Sequence, residues 1–301
     1  MKSKPTYVLF GIDMETDVGS FTPFYEGTKH GTPLLIDLFA KRGVKATFFF
    51  TGDCARQNPD VARMVAESGN EVGCHSLYHE TIGDELFPIP GVKPLLDHEV
   101  KPRLDLCKQW VSQAAGVEPK SFRCPRLWGS TAVVNALEEL GFTCDVTYPM
   151  YFYREQFSPY HPSRDDWTKK GDSPVLEVPN FADMVMESKD PGLERDRDQW
   201  PLFRTEGGLY MLERAREFLN FCDQKQIPRV LAFYLHPWEF WPMEKSYHFG
   251  EATVIPDEFI TMNCGEKALA ELDVMIGGLR GMDAVFVTAG MLADLFAEDK
   301  P

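Results

Sequence analysis

Short apolar, β-rich runs alternate with helical patterns along most of the chain, which is typical of a parallel sheet with crossover helices. Eight runs are predicted to be strands: Tyr7–Ile12, Ala46–Phe50, Glu71–Cys74, Ser121–Arg123, Thr143–Val146, Val175–Val178, Val230–Leu235 and Ala284–Val287. The pattern favours an α/β fold, a distorted (β/α) barrel of seven or eight mostly parallel strands. An open doubly wound sheet fits nearly as well, because periodicity does not reveal whether a sheet closes.

The helical patterns between these strands carry clear end signals. In GTPLLIDLFAKRG, we expect Thr32 to be the N-cap, Pro33 the first helical residue and Gly43 the residue just past the end. Two later helices are expected to stop at Gly69 and Gly141, and each is followed at once by a strand-like run.

Four connections are too long for ordinary βα loops, and loops of this size in a compact domain are usually functional. They are Glu80–Leu95, Thr147–Ser173, Ala182–Gly207 and Pro237–Asn263. Many aromatic residues lie in them, and their rings either pack the loops down or offer stacking surfaces to a sugar-like or apolar ligand. We therefore expect long loops at the carboxyl-end rim of the sheet. No internal repeat or low-complexity linker divides the chain, so residues 1–301 are predicted to form a single domain.

Composition and charge exclude several classes of protein. A hydrophobic content of 44% over 301 residues is enough for a large core. The 46 acidic and 31 basic residues give a formal charge of -15, which repels nucleic acid and anionic lipid surfaces. The seven cysteines are scattered and form no C-x-x-C pair, so neither a disulfide framework nor a thiolate zinc site is expected. With no signal-peptide pattern and no membrane span in the sequence, we expect a cytoplasmic protein.

Polar residues follow four of the predicted strands, and reactive groups in βα folds collect at the carboxyl ends of strands. They are Asp13, Glu15 and Asp17 after the first strand, His75 and His79 after the third, Arg123, Arg126 and Trp128 after the fourth, and His236, Trp238 and Glu239 after the seventh. Two imidazoles and a carboxylate are a common ligand set for Zn²⁺ or another divalent transition metal. The pattern therefore predicts a metal site with carboxylates and an arginine on the same rim.

Each of these residues also has an ordinary structural explanation. The H-x-x-x-H spacing of His75 and His79 is weak evidence alone, and Ser76 stands where the zincin motif has its glutamate. Acidic residues at a strand end often cap the next turn, and a histidine such as His236 before a proline is by default a buried core residue. Their convergence on one rim favours a hydrolytic site, in which one carboxylate binds metal and the other serves as base.

Five segments, GIDMETD, ATFFFTG, HSLYH, FRCPRLW and YLHP, occur in this order at the ends of successive predicted strands. As a set they resemble the polysaccharide deacetylases of carbohydrate esterase family 4, over about Thr6 to Thr288. The chain is most similar to the cytoplasmic branch with peptidoglycan deacetylase-like, deformylase-like and allantoinase-like proteins. The resemblance implies a distorted (β/α) barrel and metal-dependent hydrolysis of an amide or ester, here at a carbon–nitrogen bond other than a peptide bond.

The resemblance also implies roles for single residues. It assigns three catalytic residues: Asp13 as base, Arg123 as the group that orients this base, and His236 as the acid that protonates the leaving group. It assigns three metal ligands, with zinc as the expected ion: Glu15, His75 and His79. It places Pro125 and Trp128 on the wall of the substrate groove, and Trp238 is expected to offer a stacking surface there.

One departure from the family pattern concerns Glu15, because most relatives have an aspartate there. The additional methylene moves the carboxylate by about one carbon–carbon bond, so Asp17 is kept as an alternative ligand. The expected substrate is a glycan or small molecule with an N-acetyl or N-formyl amino sugar. A small-molecule amidohydrolase acting on a linear or cyclic amide, and an inactive carbohydrate-binding relative, are the alternatives. A homo-oligomer that shares the groove between subunits is compatible with the sequence.

Overall fold

The computed structural model describes residues 5–89, 91–190 and 192–297. Its main element is a sheet of eight parallel strands, with a separate two-stranded hairpin. In chain order the strands are β1 (Thr6–Met14), β2 (Thr47–Phe50), β3 (Glu71–Cys74), β4 (Ser121–Phe122), β5 (Cys144–Asp145), β6 (Leu176–Glu177), β7 (Arg229–Leu235), β8 (Tyr247–Phe249), β9 (Ala252–Val254) and β10 (Ala284–Phe286). All eight predicted strands are confirmed. The hairpin β8–β9 lies in a connection that was predicted to be a loop.

The strand order curls the sheet into a distorted barrel. The strands follow the order β7, β1, β2, β3, β4, β5 and β6. One edge of β1 pairs with β7 over Thr6–Ile12, and its other edge pairs with β10 at Thr6–Val8 and with β2 at Gly11–Met14. Past the end of β6, the amide of Phe181 donates a 2.8 Å hydrogen bond to the carbonyl of Ala232 in β7, which brings the two ends of the sheet together. The predicted distorted (β/α) barrel is confirmed.

Eleven α-helices connect and cover the strands in the described part of the chain. They are α1 (Thr32–Arg42), α2 (Gly52–Gln57), α3 (Pro59–Glu67), α4 (Asp97–Ala115), α5 (Thr131–Glu139), α6 (Met150–Tyr153), α7 (Leu202–Thr205), α8 (Gly208–Lys225), α9 (Glu258–Thr261), α10 (Glu266–Arg280) and α11 (Ala289–Leu295). Three of the four long connections contain one of the short helices α6, α7 and α9. Within the described ranges, we find no helix with the length and apolar character needed to cross a membrane.

The start of α1 differs from the sequence prediction. A π-helical turn, Gly27–Gly31, runs directly into α1, and Thr32 has right-handed helical backbone angles. The prediction of Thr32 as N-cap is wrong, because an N-cap residue lies outside the helical conformation and here the helix has already begun. The predicted helix ends are confirmed, since Gly43, Gly69 and Gly141 all have positive φ at the ends of their helices.

The alternation of side chains along β1 serves two separate cores. Phe10 packs into the core beneath the helices, whereas Leu9 belongs to a second core inside the barrel together with Phe49. Both faces are buried because a parallel sheet is covered on both sides. By the same alternation, Gly11 and Asp13 point to the barrel interior like Leu9. The strand therefore delivers a carboxylate to the interior near its carboxyl end.

Two carboxyl groups lie side by side in the barrel, on paired positions of β5 and β6. Asp145 and Glu177 are fully buried. Glu177 Oε1 accepts hydrogen bonds from the amides of Thr147 (3.0 Å) and Tyr148 (2.7 Å). Burial raises the pKa of Asp145 to about 7 and that of Glu177 well above its usual value. At neutral pH the pair therefore holds a proton that both groups would lose in the unfolded chain.

We expect the protein to lose stability as the pH rises from about 5 to about 8, because the pair of Asp145 and Glu177 then loses a proton that is bound only in the folded state. Stability falls rather than rises with pH because the pKa of Asp145 is raised in the folded protein: at the lower pH Asp145 is already ionised in the unfolded chain but still protonated in the folded one. Asp145→Asn, which cannot ionise, should flatten this dependence. Urea unfolding of both proteins at the two pH values measures it, and parallel pH profiles would contradict the assignment.

Candidate active site

The residues predicted to carry chemistry converge at the carboxyl ends of β1, β3, β4 and β7. Asp13 lies near the end of β1, Glu15 directly follows it, His75 follows β3 and His236 follows β7. All four line one cavity of about 350 Å³. Arg123, after β4, is fully buried and lies behind Asp13. The fold thus brings together residues that are far apart in the sequence.

Glu15, His75 and His79 form one cluster of potential metal ligands. One ligand atom from each lies within 4.8 Å of the others. Glu15 Oε2 is 2.6 Å from His79 Nε2 and 3.4 Å from His75 Nε2, and the three side chains are almost completely buried. Neither carboxylate oxygen of Glu15 has a hydrogen-bond partner of acceptable geometry among the described residues. Three donor atoms therefore face a common point.

A hydrogen bond behind His75 fixes its tautomer. Its Nδ1 lies 2.8 Å from the carbonyl oxygen of Arg123, which can only accept, so Nδ1 carries the proton. The lone pair of Nε2 is then directed at Glu15 and the common point. This arrangement of a backbone carbonyl behind a histidine is common at metal ligands, because it orients the ring and strengthens it as a donor.

The protonation states of the other two ligands also suit a metal. Burial alone would raise the pKa of Glu15, but the neighbouring His79 and His75 outweigh it and hold the pKa well below its usual value. Burial lowers the pKa of His79, although Glu15 opposes this effect. At neutral pH the site thus contains an ionised carboxylate and a neutral imidazole, the forms that bind metal.

Asp17 does not belong to this cluster. Its two carboxylate oxygens each accept a 2.9 Å hydrogen bond, from the amides of Glu26 and Gly27. Burial raises its pKa to about 6, against the effect of these two hydrogen bonds. Asp17 therefore fixes the loop that leads into the π-helical turn, and the structure brings Glu15 to the histidines instead.

Asp13 and Arg123 form a buried ion pair beside the cluster. Arg123 Nη1 donates a 2.8 Å hydrogen bond to Asp13 Oδ1. The guanidinium is held by the carbonyl of Val146 at 2.9 Å and by Asn180 Oδ1 at 3.3 Å. Gly11 leaves the space for it, because a Cβ at this position would overlap the guanidinium. Arg123 thus orients one oxygen of Asp13, and Asp13 also lines the cavity.

His236 lies at the end of β7, which pairs with β1, and is held by Glu239. Glu239 Oε1 accepts hydrogen bonds from the His236 amide at 2.9 Å and lies 3.0 Å from His236 Nδ1. Glu239 is itself fixed by Trp200 Nε1 at 3.0 Å and by Arg204 Nε at 2.6 Å. Burial disfavours the charged form of the His236 imidazole and lowers its pKa. The carboxylate of Glu239, and after it that of Glu15, outweighs burial, so the pKa of His236 is raised. The ring is therefore positioned and poised to carry a proton.

We expect Glu239→Gln to lower kcat by about 10- to 100-fold, because His236 loses the carboxylate that orients and charges it. The pKa of His236 should fall, so the alkaline limb of the activity profile should move to lower pH. A pH profile of kcat/KM, with thermal unfolding to monitor folding, measures both effects. Glu239→Asp keeps the charge and should restore the limb in part. An unshifted limb in a folded Glu239→Gln protein would refute this role.

Two glycines allow the turn at His236 to pack closely against the π-helical turn. A Cβ on Gly27 would overlap the backbone of Trp238, and a Cβ on Gly31 would overlap the carbonyl oxygen of Pro237. This contact joins the segment after Glu15 to the segment that carries His236. A side chain at either glycine would have to push these two segments apart.

The wall of the cavity differs in part from the sequence prediction. Trp238 lines the cavity, as do Arg126 and Leu127, but Pro125 and Trp128 do not. Both are buried, and the Trp128 ring packs edge-on against Phe87 with centroids 5.5 Å apart. The backbone is left-handed at both Arg126 and Leu127, and it turns the tryptophan into the core. The groove role expected for Pro125 and Trp128 therefore stays a prediction.

Several residues of the site carried no assigned role in the sequence. Arg126 and Glu239 were noted only because they follow strands. Arg204 and Asp198 come from a long connection whose fold the sequence does not reveal, and Trp200 was one of many loop aromatics. The position of Glu239, three residues after His236 at the start of a short helix, is a capping-box spacing and was a usable signal.

Comparison with known proteins locates a family match in the first half of the chain. The family described as polysaccharide deacetylase matches residues 19–144, a range that contains His75, His79 and Arg123. A peptidoglycan-N-acetylglucosamine deacetylase of Bacillus cereus is 25% identical over 140 residues, which cover 46% of this chain and 55% of that protein. The uncharacterized protein YlxY of Bacillus subtilis is 30% identical over 105 residues, covering 35% of this chain and 30% of YlxY. The match thus spans about a third to a half of these relatives.

A solved structure agrees with the fold over the whole chain. A crystal structure titled putative polysaccharide deacetylase, from Mycobacterium smegmatis, superposes with a TM-score of 0.65 at 18% sequence identity. The superposition covers 100% of this chain and 93% of that chain. At this identity the likeness shows the fold, and the chemistry has to be argued from the residues of the cavity.

Proposed function

The chain contains a polysaccharide deacetylase domain, and we propose that it is a metal-dependent hydrolase that removes an acetyl or formyl group from the nitrogen of an amino sugar. The observation that carries the proposal is the arrangement in one cavity of a ligand cluster, a carboxylate base and a histidine acid. Residues 1–301 would then act as one catalytic domain. The bond that it hydrolyses would be a carbon–nitrogen bond other than a peptide bond.

The donor set of the cluster fits a divalent transition metal. Glu15, His75 and His79 provide one carboxylate and two imidazoles, and the unpartnered buried oxygens of Glu15 need a cation. The mixed nitrogen and oxygen ligands favour zinc over magnesium or calcium, which prefer oxygen alone. When bound there, zinc would polarise the acyl carbonyl and the attacking water.

In the proposed reaction, Asp13 takes a proton from the water that attacks the acyl carbon. Arg123 holds Asp13 Oδ1, which leaves the other oxygen of the carboxylate for the water. A new bond then joins the water oxygen to the acyl carbon.

His236 completes the reaction on the other side of the bond. Its Nδ1 is engaged by Glu239, so Nε2 is the atom that can face the substrate. A charged His236 donates the Nε2 proton to the amide nitrogen as the carbon–nitrogen bond breaks. The products are the free amine and acetic or formic acid, and the proton taken by Asp13 passes through solvent to His236, which restores both groups.

The cavity has a size and surface that suit a sugar unit. A volume of about 350 Å³ lies in the range of small-molecule sites and is large enough for one sugar ring. Trp200 and Phe259 are aromatic residues of its wall, whereas the Trp238 ring is fully buried and stacks on His236. Sugar rings stack on such faces through their C–H groups, which would orient the acyl amide toward the ligand cluster.

A release assay tests the proposal. The full chain, loaded with zinc, is incubated with N-acetyl amino sugars, N-formyl amino sugars and linear and cyclic amides, and acetate, formate and ammonia are measured. We expect acyl release from amino sugars that stops on chelation. Release from the linear or cyclic amides alone would favour the small-molecule amidohydrolase. With zinc bound, the absence of release from every compound would refute the hydrolase and favour a carbohydrate-binding protein.

A further inference from the structure

Two arginines line the cavity and form no ion pair with any described residue, and we propose that they bind an anionic group of the substrate. They are Arg126 and Arg195. The proposal rests on the hydrolase function above and adds a substrate class to it. The N-acylated substrate carries, besides its amide, a carboxylate or a phosphate that these guanidinium groups recognise.

Arg126 is unusual among the arginines of this chain. It is half-buried, and burying a cation without a counter-charge is costly. Every other buried or half-buried arginine in residues 5–89, 91–190 and 192–297 forms an ion pair with a carboxylate. In a chain with a formal charge of -15, an acidic partner would be easy to supply. Glu15 acts on Arg126 only at longer range and makes no direct ion pair with it, so we expect a ligand to supply the direct ionic partner.

The hydrogen bonds of Arg126 leave most of its donors available. Its Nη1 lies 3.3 Å from His79 Nδ1 and 3.4 Å from the His79 carbonyl oxygen. Its Nε and Nη2 have no acceptor among the described residues. A guanidinium has five N–H donors in a planar fork. The contact with His79 thus places the group beside the ligand cluster, and the free edge can bind a planar oxyanion.

Arg195 is held near the same part of the wall by Phe87. Its guanidinium carbon lies 4.4 Å from the centroid of the Phe87 ring, which also lines the cavity. The same ring packs against Trp128, two residues after Arg126. Phe87 therefore connects the two arginine segments, and it fixes Arg195 without using its hydrogen-bond donors.

The carboxyl groups of the cavity are engaged with other partners. Asp13 pairs with Arg123, and Glu15 faces the two histidines. Asp198, which also lines the cavity, accepts hydrogen bonds from Tyr234 Oη at 2.5 Å and from the Trp200 amide at 3.3 Å. None of the three forms an ion pair with Arg126 or Arg195. Glu15 acts on Arg126, and Asp198 on Arg195, only at longer range, so the hydrogen-bond donors of both guanidinium groups are left for the substrate.

Charge and size together define the ligand. Arginine matches carboxylates and phosphates by two parallel hydrogen bonds, and such charge-assisted bonds strengthen in a shielded cavity. The strong negative charge of the whole chain repels long anionic polymers. A single anionic group on a sugar-sized unit satisfies both conditions.

Matched substrates test the proposal. The zinc-loaded full chain is assayed with N-acetylglucosamine, which is neutral, with N-acetylmuramic acid, which carries a carboxylate, and with a phosphate ester of N-acetylglucosamine. We expect kcat/KM to be at least about tenfold higher for one or both anionic compounds. Comparison of kcat/KM for the two anionic compounds shows whether a carboxylate or a phosphate is preferred. Equal kcat/KM for the neutral compound, with turnover present, overturns the inference and leaves the hydrolase function standing.

Variants identify the residues responsible. Arg195→Gln should lower kcat/KM for the anionic substrate by about 10- to 100-fold, mainly through KM, and change the neutral one by less than about threefold. Arg126→Gln should lower kcat/KM for the anionic substrate by a similar factor, but it contacts His79 and can also affect the neutral substrate. Arg195 is the decisive position, because it does not contact a proposed metal ligand; metal analysis accompanies Arg126→Gln. Arg63→Gln removes the same charge from an exposed position of α3 and should have no effect. Unchanged selectivity in a folded Arg195→Gln protein contradicts the proposal.

The anion site can also be tested if the proposed hydrolase function is wrong. If no compound is hydrolysed with zinc bound, the function is refuted, and calorimetric binding of the same three compounds then decides the inference. Tighter binding of an anionic compound than of the neutral one, by about tenfold or more and lost in Arg195→Gln, supports the anion site. Equal binding of all three compounds overturns it.

Discussion

Asp13→Asn is expected to lower kcat by about a thousandfold or more while the metal content stays unchanged. The amide has nearly the shape of the carboxylate and keeps an oxygen for Arg123, but it cannot accept the proton of the attacking water. The loss should fall on kcat rather than KM, because Asp13 is assigned to the chemical step. Steady-state kinetics on an N-acetyl amino sugar and metal analysis of the same preparation measure both quantities.

A matched control separates catalysis from folding. Asp60→Asn makes the same chemical change at an exposed position of α3 and should leave kcat as in the unaltered protein. Thermal unfolding shows whether Arg123, which loses a charged partner in Asp13→Asn, destabilises the barrel. A folded Asp13→Asn protein that retains more than about a tenth of the activity would exclude Asp13 as the base.

His79→Ala is expected to remove the metal. The purified protein should contain about one transition-metal ion per chain, and loss of one of three protein ligands should reduce this to a small fraction. Added zinc should raise the unfolding temperature of the unaltered protein, because it binds only the folded site, and should have no such effect on the variant. Elemental analysis and thermal unfolding with and without zinc measure these two effects.

His98→Ala is the matched control, since His98 is exposed on α4 and far from the cluster in the sequence. It should retain both the metal and the thermal response. Unchanged metal content in His79→Ala would show that the ion binds elsewhere or not at all. A response to zinc in His79→Ala equal to that of the unaltered chain would lead to the same conclusion.

The strands were predictable because the sheet is buried on both faces. An uninterrupted run such as Phe48–Phe50 has few alternatives in a chain of this type, and the structure buries every residue of it. The start of α1 was not predictable in the same way, because Gly27–Gly31 has no strong helical signal of its own. The hairpin β8–β9 was missed because each of its strands has only three residues, and Tyr247 is the one residue of the six that is buried.

The position of the candidate site was predictable where it depends on the topology of the strands. Parallel strands place their carboxyl ends on one rim, so Asp13, His75 and His236 could be grouped without knowing any distance. The choice between Glu15 and Asp17 was not accessible, because it depends on which amides a carboxylate meets after the strand ends. The burial of Trp128 was not predictable either, because the two residues before it, Arg126 and Leu127, have left-handed backbone angles that composition does not indicate.

The close packing of Gly27 and Gly31 against Pro237 and Trp238 limits which positions of this chain can be varied in directed evolution. Libraries that randomise the cavity wall, at positions such as Phe259 or Ile260, can vary the shape of the accepted substrate. Libraries that include the two glycines would introduce side chains that overlap Trp238 and Pro237 and displace the segment that carries His236, whatever substrate is screened. Both codons are best left fixed, and the diversity is best placed in the loops around them.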